Sequence, residues 1–221
     1  MKKILPLGIL VSGSGSNLQS IIDHIESGKL DAVIKVVISS STEAYARERC
    51  QRHNIPFVVI NHRDFPLRDA FDQQMIDVLQ SRGVELVVMA GFMRILTARF
   101  LSSFPMQIMN IHPALLPAFP GLHVQKKAVE HGVRFSGCTV HFADDGVDTG
   151  PIIIQAVVPV YEEDNEDSLA RRILKEEHKI YPQAIQWYAE DRLEVKGRKV
   201  YLKGAEALNI TTQHNPSLMI R

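Results

Sequence analysis

The chain has 221 residues, 45% of them hydrophobic and 23% charged, and its 25 basic and 25 acidic side chains give a formal net charge of zero. This length suits one α/β domain of ordinary size or two small ones, and the neutral balance argues against a broad surface for nucleic acid or membranes. The two cysteines form no paired motif, and no apolar run is long enough to span a bilayer. We therefore expect a cytoplasmic protein with reduced thiols that acts on small molecules.

The first hundred residues alternate apolar strands with helices of 3.6-residue periodicity. Such an alternation predicts an α/β protein with a Rossmann-like, doubly wound and mostly parallel central sheet. We expect one or more antiparallel strands in the C-terminal half. The second helix is expected to begin at Thr42, whose hydroxyl can cap it. The predicted strands cover Leu7–Val11, 33–39, Phe57–Ile60 and Glu85–Gly91, and the predicted helices cover about 18–27, 42–53 and 65–82.

A loop rich in serine and glycine, Ser12–Asn17, joins the first strand to the first helix. It lacks the third glycine of a dinucleotide fingerprint, because Leu18 takes that position, and this disfavours a dehydrogenase. It also lacks the lysine of a nucleotide P-loop and the last glycine of a serine-nucleophile elbow. Backbone amides at the start of a helix can hold one phosphate. The loop therefore predicts a single-phosphate site, and the alternative is a well-capped turn that binds nothing.

An apolar run over 104–111 predicts a buried strand that ends in polar residues. Asn110 and His112 are two residues apart and should share a face of this strand, which Pro113 stops at His112. Ligands bind at the carboxyl ends of strands in open α/β sheets. There an amide can stabilise an oxyanion and an imidazole can move a proton. The alternative is a turn in which both side chains only satisfy nearby backbone groups.

The second half of the chain does not continue the strand–helix alternation: a proline-rich loop is followed by a helix and then by two successive strands. The connection 143–150 is long for a hairpin and rich in acids, which indicates a functional loop. Within it, Asp148 is the predicted partner of His112, because a carboxylate orients an imidazole and favours its protonated form. Asp144 and Asp145 are competitors for this role. The predicted elements are a helix at about 122–131, strands at 136–142 and 151–159, a helix at about 167–190 and an edge strand at 199–202.

A zinc site is disfavoured by the spacing of the candidate ligands. The chain contains no HxxxH or HExxH pair, and its thiols are not clustered. We therefore expect no metal. The ligands that this alternative would use are His112, His123, His131, His141 and Asp148.

Six motifs lie along the chain at 12–19, 90–96, 110–117, 120–123, 139–142 and 148–153. In this order and spacing, they resemble the phosphoribosylglycinamide formyltransferases of the 10-formyltetrahydrofolate-dependent formyltransferase family. The resemblance extends from about residue 7 to about residue 190. The Asn-x-His-Pro motif with a later aspartate is characteristic of formyl-folate transferases and hydrolases, and the glycine loop narrows the resemblance further.

The resemblance implies transfer of the formyl group of 10-formyltetrahydrofolate to the amine of 5-phosphoribosylglycinamide (GAR), in de novo purine synthesis. It implies one formyltransferase domain over 1–195, with a phosphate-binding half at about 1–100 and a folate-binding, catalytic half at about 101–195. An edge strand and a polar tail would follow at 196–221, and the protein would be a monomer or homodimer. It also implies a cis Leu116–Pro117 bond. By the same resemblance, Asn110, His112 and Asp148 are catalytic, Gly15, Ser16, Asn17 and Glu177 bind GAR, and Arg68, Met93, Arg94, Ile95, Leu96, Asn110, Asp144 and Asp148 bind the folate.

Three rival functions share part of this pattern. Methionyl-tRNA formyltransferases normally carry an additional basic C-terminal domain, and formyltetrahydrofolate deformylases usually carry an N-terminal regulatory domain; we expect neither in this chain. A non-catalytic module could use the phosphate loop alone. The presence of Asn110, His112 and Asp148 together argues against that third possibility.

Overall fold

The structure, a computed structural model, describes residues 3–205, so the predicted polar tail beyond 205 lies outside the described residues. The described part of the chain folds into alternating strands and helices followed by a largely antiparallel extension of the sheet. The elements are β1 (Leu5–Val11), α1 (Ser16–Glu26), β2 (Ala32–Ser39), α2 (Ala46–Arg52), β3 (Phe57–Val59), a 3₁₀ turn (His62–Asp64), α3 (Arg68–Ser81), β4 (Leu86–Met89), α4 (Ala98–Ser103), β5 (Ile108–His112), α5 (Val124–Glu130), β6 (Phe135–Phe142), β7 (Ile152–Pro159), α6 (Glu166–Ala189), β8 (Leu193–Lys196) and β9 (Lys199–Leu202).

The described strands form one sheet in the order β3-β2-β1-β4-β5-β6-β7-β9-β8. The first five strands are parallel, as the alternating sequence pattern predicts. The strand order reverses at β1, which pairs with β2 on one side and with β4 on the other. Connections that leave in opposite directions open a crevice above the carboxyl ends of such strands. The fold thus places a ligand site above β1, β4 and β5.

Helices cover both faces of the parallel strands, and this explains why those strands are almost continuously apolar. One core joins the sheet to α1, α2, α5 and α6, and the other joins it to α3 and α4. The fully buried Tyr181 of α6 reaches the sheet, where its hydroxyl lies 3.1 Å from the Met89 carbonyl oxygen and 3.0 Å from that of Met109. This contact holds α6 over the ends of β4 and β5.

The second half of the sheet is largely antiparallel, although β7 and β9 meet in parallel at Ile152 and Lys199. β6 pairs with β5 and β7 pairs with β6, both antiparallel. The prediction of one edge strand at 199–202 is wrong in detail: β9 lies between β7 and β8, and β8 is the outer strand of a hairpin. The alternation of apolar and polar residues in β8 is a weak signal because the strand is only four residues long.

Other predicted elements need correction as well. α2 begins at Ala46 after Tyr45, so Thr42 does not cap it and instead lies in the preceding turn. The short helix α4 was not predicted, since part of its N-terminal anchor is remote in sequence: the Thr97 amide donates to the Asp72 carboxylate at 2.7 Å. The strand predicted from residue 104 begins only at Ile108. The chain turns before it, at Met106, where φ is 54°.

Candidate active site

A cavity of about 780 Å³ opens above the carboxyl ends of the parallel strands. It extends from the glycine-rich loop after β1 to the segment after β4, and the residues around α5 and the 143–150 loop line its other sides. Helix α6 contributes one stripe of residues, from Asp167 to Glu177. The Ser12 hydroxyl joins two of these walls, because it accepts a hydrogen bond from the Met93 amide at 3.0 Å. The site thus lies where the strand order reverses.

The glycine-rich loop ends at Gly15, which is the N-cap of α1 and has a φ of 68°. A side chain at this position would be strained, and its Cβ would lie 2.9 Å from the Cβ of Ala46. Arg49 supports the loop from outside, since its Nε donates to the Ser14 carbonyl at 2.9 Å. Gly15 itself does not line the cavity, whereas Ser16 does. The first-turn amides of α1 have no helical partner and can receive an anion.

Asn17 and Glu177 form a buried pair at this end of the cavity. The Asn17 Nδ2 donates to the Glu177 carboxylate at 2.7 Å, and the two residues are 8% and 7% exposed. Burial raises the pKa of Glu177, and the bond from Asn17 acts in the opposite direction. The Asn17 Oδ1 is buried without a hydrogen-bond partner among the described residues. The pair therefore offers a carboxyl group and a free acceptor to a polar ligand.

Asn110, His112 and Asp148 meet at the centre of the cavity. Asn110 and His112 share a face of β5, and both line the cavity. His112 Nδ1 lies 3.3 Å from the Asp148 carboxylate, and the Gly121 amide donates to the same carboxylate at 2.9 Å. His112 Nε2 lies 2.8 Å from the carbonyl oxygen of Phe119. Since both ring nitrogens face acceptors, this geometry suits a doubly protonated imidazole.

His141 is a site residue whose role the sequence did not reveal. It lies opposite Asn110 in the β5–β6 pair, and the two side chains are in contact, with Asn110 Nδ2 3.2 Å from His141 Nε2. Burial lowers the pKa of His141, and its Nδ1 lies 2.9 Å from the Phe142 carbonyl oxygen. A neutral ring that donates from Nδ1 accepts at Nε2, so His141 orients the Asn110 amide. The antiparallel register creates this pair, and residue order alone does not specify it.

The 143–150 loop presents Asp148 in a left-handed conformation, with a φ of 55°. Thr149 anchors the loop through its hydroxyl, which donates to Asp144 at 2.6 Å. A Cβ on Gly150 would overlap the carbonyl oxygen of Phe142, so two backbone segments approach closely where the loop closes. Asp144 therefore shapes the loop and lines the cavity, and Asp148 contacts His112. Asp145 is not among the lining residues.

The far wall of the cavity is largely apolar. Met93 and Ile95 are 66% and 58% exposed, and Arg94 and Leu96 lie beside them in the lining. Arg68 does not line the main cavity; its Nη2 donates to the Ile95 carbonyl at 2.9 Å. It lines a neighbouring cavity of about 430 Å³ that shares Met93, Arg94 and Ile95 with the first. A long ligand in the main cavity could extend toward Arg68.

Other kinds of site find little support in the part of the chain that the structure describes. Within 3–205 no group of three or more His, Cys, Asp or Glu residues is placed to hold a metal ion. Over the same residues, no helix is both long and apolar enough to cross a membrane. Cys50 and Cys138 are free and buried, and burial raises the pKa of the Cys50 thiol to about 11. These thiols are poorly suited to act as nucleophiles.

Comparison with known proteins gives one consistent result. The family described as "Formyl transferase" matches residues 5–185. The chain is 40% identical over 196 residues to the phosphoribosylglycinamide formyltransferase of Escherichia coli strain K12, covering 89% of this chain and 92% of that protein. It is 46% identical over 181 residues to the trifunctional purine biosynthetic protein adenosine-3 of Drosophila melanogaster, covering 81% of this chain but only 13% of that protein.

A solved structure is similar in both sequence and shape. Glycinamide ribonucleotide transformylase 1 from Symbiobacterium toebii superposes with a TM-score of 0.89 at 49% sequence identity. The match covers 90% of this chain and 94% of that chain. The arrangement of the sheet and its helices is therefore shared with this enzyme.

Proposed function

The chain belongs to the formyl transferase family, and we propose that it transfers the formyl group of 10-formyltetrahydrofolate to the amine of GAR. The products are formyl-GAR and tetrahydrofolate, in de novo purine biosynthesis. The observation that supports this function best is the meeting of Asn110, His112 and Asp148 between a helix N-terminus and an apolar wall. The enzyme would act in the cytoplasm, as a monomer or homodimer, without a metal, on two small molecules.

The glycine-rich end of the cavity would bind GAR. The backbone amides of Ser16 and Asn17 begin α1 and can donate to the phosphate, which the helix dipole also favours. Gly15 gives the loop the conformation that exposes these amides. Glu177 and the unpartnered Oδ1 of Asn17 would receive the hydroxyl and amine donors of the ribose and glycinamide groups. The amine of GAR would then extend from this end of the cavity toward Asn110.

The apolar end would bind the folate. Met93 and Ile95 offer exposed hydrophobic surface to the pterin and aminobenzoyl rings, and the adjoining backbone groups can pair with the polar pterin edge. Leu96 extends this wall, and Asp144 and Asp148 bound it on the opposite side. The carboxylates of the folate glutamate would meet Arg94 and Arg68, which line the neighbouring cavity.

The formyl carbon would react between these two ends. The amine nitrogen of GAR attacks it and forms the new carbon–nitrogen bond, and the carbonyl oxygen becomes an oxyanion. Asn110 Nδ2 and a protonated His112 would donate to this oxygen. The contact from Asn110 Nδ2 to Asp148 is 3.4 Å and therefore weak, so a substrate oxygen can replace it. Collapse of the intermediate breaks the bond to the folate N10, and the amine proton ends on that nitrogen.

His112 must change one contact to take this role. Its Nδ1 faces Asp148, so Nε2 is the nitrogen available to the formyl oxygen, and Nε2 is now 2.8 Å from the Phe119 carbonyl oxygen. The formyl oxygen would replace that carbonyl as the acceptor. Asp148 would keep the ring oriented and hold a water that passes the proton from the amine to the folate nitrogen.

The test is an initial-rate assay that follows the folate product by absorbance. The wild type and His112→Ala would be assayed with GAR plus 10-formyltetrahydrofolate, and with the folate alone. We expect product only when GAR is present, and a rate lowered by about 10²-fold or more in the variant.

Three other results would contradict parts of the proposal. Equal product without GAR would indicate a deformylase. No product from the wild type would indicate a binding module or another acceptor. Unchanged turnover in His112→Ala would remove His112 from the mechanism.

A further inference from the structure

Two arginines line the main cavity, and they lie on different walls. Among residues 3–205, Arg94 and Arg171 are the lysine or arginine side chains in the lining. Arg94 also lines the neighbouring cavity with Arg68, which places it on the apolar side. Arg171 belongs to α6, and the proposed roles of the site have not used it.

The position of α6 relates Arg171 to the phosphate loop. The lining residues of this helix are Asp167, Ala170, Arg171, Leu174 and Glu177, and these spacings of three and four residues mark one continuous face. At the end of this face, Glu177 contacts Asn17 in the first turn of α1. Arg171 begins about 9 Å before Glu177 along the helix axis. Arg171 and Glu177 therefore lie on the same cavity-facing side of α6, within two turns of each other.

The surroundings of Arg171 leave its charge available. Arg171 is exposed and makes no hydrogen bond or ion pair at the distances that define these contacts within residues 3–205. Its neighbour Arg172, by contrast, is held by Asp164 through a 2.6 Å contact. The groups nearest the loop end of the cavity are otherwise hydroxyl, amide and carboxyl groups, from Ser14 to Glu177. Arg171 is thus the arginine of the lining that shares a helix face with Glu177, which contacts the first turn of α1.

We infer that Arg171 is a specificity-determining residue that donates a charge-assisted hydrogen bond to the phosphate of GAR. This inference rests on the proposed function. The two substrates together carry anionic groups at both far ends, a phosphate on one and carboxylates on the other. The cavity provides one arginine for each end, with Arg94 for the folate carboxylates and Arg171 for the phosphate. Guanidinium suits this task because its planar fork matches phosphate oxygens.

The experiment compares Arg171→Gln with the wild type in steady-state assays that vary each substrate separately. The KM for GAR should rise about 10- to 100-fold, as expected for loss of a charge-assisted hydrogen bond. The KM for 10-formyltetrahydrofolate and kcat should stay close to their wild-type values. Arg171→Lys should recover part of the loss, because it retains the charge but not the fork. Lys175→Gln, an exposed cation on α6 outside the cavity, is the matched control and should change neither KM.

A second formyl acceptor, without the phosphate, tests whether the effect of Arg171 depends on that group. Ribosylglycinamide, which lacks the phosphate, should bind the wild type and Arg171→Gln equally weakly in titration calorimetry, which needs no turnover. The inference would be overturned if Arg171→Gln lost the same affinity for GAR and for ribosylglycinamide. It would also be overturned if only the KM for 10-formyltetrahydrofolate rose. A wild type that binds GAR in an Arg171-dependent way but transfers no formyl group would contradict the proposed function alone.

Discussion

The two ends of the cavity are built in opposite ways. The phosphate end is formed largely by consecutive residues, Gly15–Asn17, whose backbone amides begin one helix. The formyl end brings together side chains from three separate segments: Asn110 and His112 from β5, His141 from β6 and Asp148 from a loop. The first end thus depends on backbone conformation, and the second depends on strand register and buried side-chain contacts.

This difference predicts how each end responds to substitution. A backbone anion site has several similar donors, so a change there should weaken binding gradually. An oxyanion site uses few donors that act on the transition state, so the loss of one should reduce kcat strongly. Variants at the phosphate end should therefore change mainly the KM for GAR, and variants at the formyl end should change mainly kcat.

The largest effect is expected at the formyl end, for Asn110→Ala. The variant loses one oxyanion donor, so kcat should fall by about 10²–10³-fold while the affinity for GAR in calorimetry stays near wild type. Gln51→Ala removes an amide from the exposed face of α2 and should leave both quantities unchanged. A kcat within about twofold of wild type would mean that Asn110 is not an oxyanion donor.

A smaller effect is expected for His141→Ala, which removes the side chain that orients Asn110. Misplacement of a donor lowers the rate less than its removal, and we expect kcat to fall about tenfold. His141→Gln keeps an acceptor near Asn110 and should recover part of this loss. If both variants keep the wild-type kcat while Asn110→Ala does not, the contact between Asn110 and His141 has no catalytic importance.

At the phosphate end, Gly15→Ala should raise the KM for GAR by up to about tenfold with little change in kcat. The alanine at position 15 would have to keep the backbone φ of 68°, and its Cβ would lie 2.9 Å from the Cβ of Ala46. The free energy of unfolding should therefore also fall by about 1–3 kcal/mol. The double variant Gly15→Ala, Ala46→Gly removes the close Cβ contact but not the backbone strain. It should recover only part of the affinity for GAR. Full recovery of the affinity for GAR would show that the left-handed backbone at position 15 does not weaken binding when the residue is alanine.

The smallest effect concerns stability and comes from Glu177. Burial raises its pKa in the folded protein above the ordinary value of 4.5. A raised carboxyl pKa contributes stability that is fully present below pH 4.5 and is lost as the pH rises through the folded-state pKa. Glu177→Gln cannot ionise, so its Tm relative to the wild type should increase as the pH rises from 4.5 to neutrality. A difference in Tm that does not vary with pH would contradict the raised pKa.

The sequence predicted the parts of the molecule that depend on local pattern. The apolar strands before Ser12 and Asn110, the alternation that makes the sheet parallel, and the shared face of Asn110 and His112 all follow from periodicity and prolines. The cis bond at Leu116–Pro117, implied by family resemblance, is present in the structure.

The parts that were missed depend on contacts between distant segments. The role of His141 requires the register that sets it opposite Asn110, and α4 is anchored by an aspartate from α3. The cap predicted at Thr42 failed because a good capping residue does not by itself show where a helix begins. Arg68 lies in the second cavity because its side chain binds the Ile95 carbonyl, which sequence spacing cannot show.

Gly150 has a consequence for how such chains can diverge. The backbone at this position passes so close to the Phe142 carbonyl that only hydrogen fits in place of a side chain. A codon change there would force the loop open and displace Asp148, two positions earlier. Selection should therefore retain glycine at position 150 as strictly as it retains the aspartate, although Gly150 performs no chemistry. A substitution in this loop would be tolerated best at Asp145, which is exposed and does not line the cavity, whereas a Cβ on Gly146 would overlap the Thr149 hydroxyl.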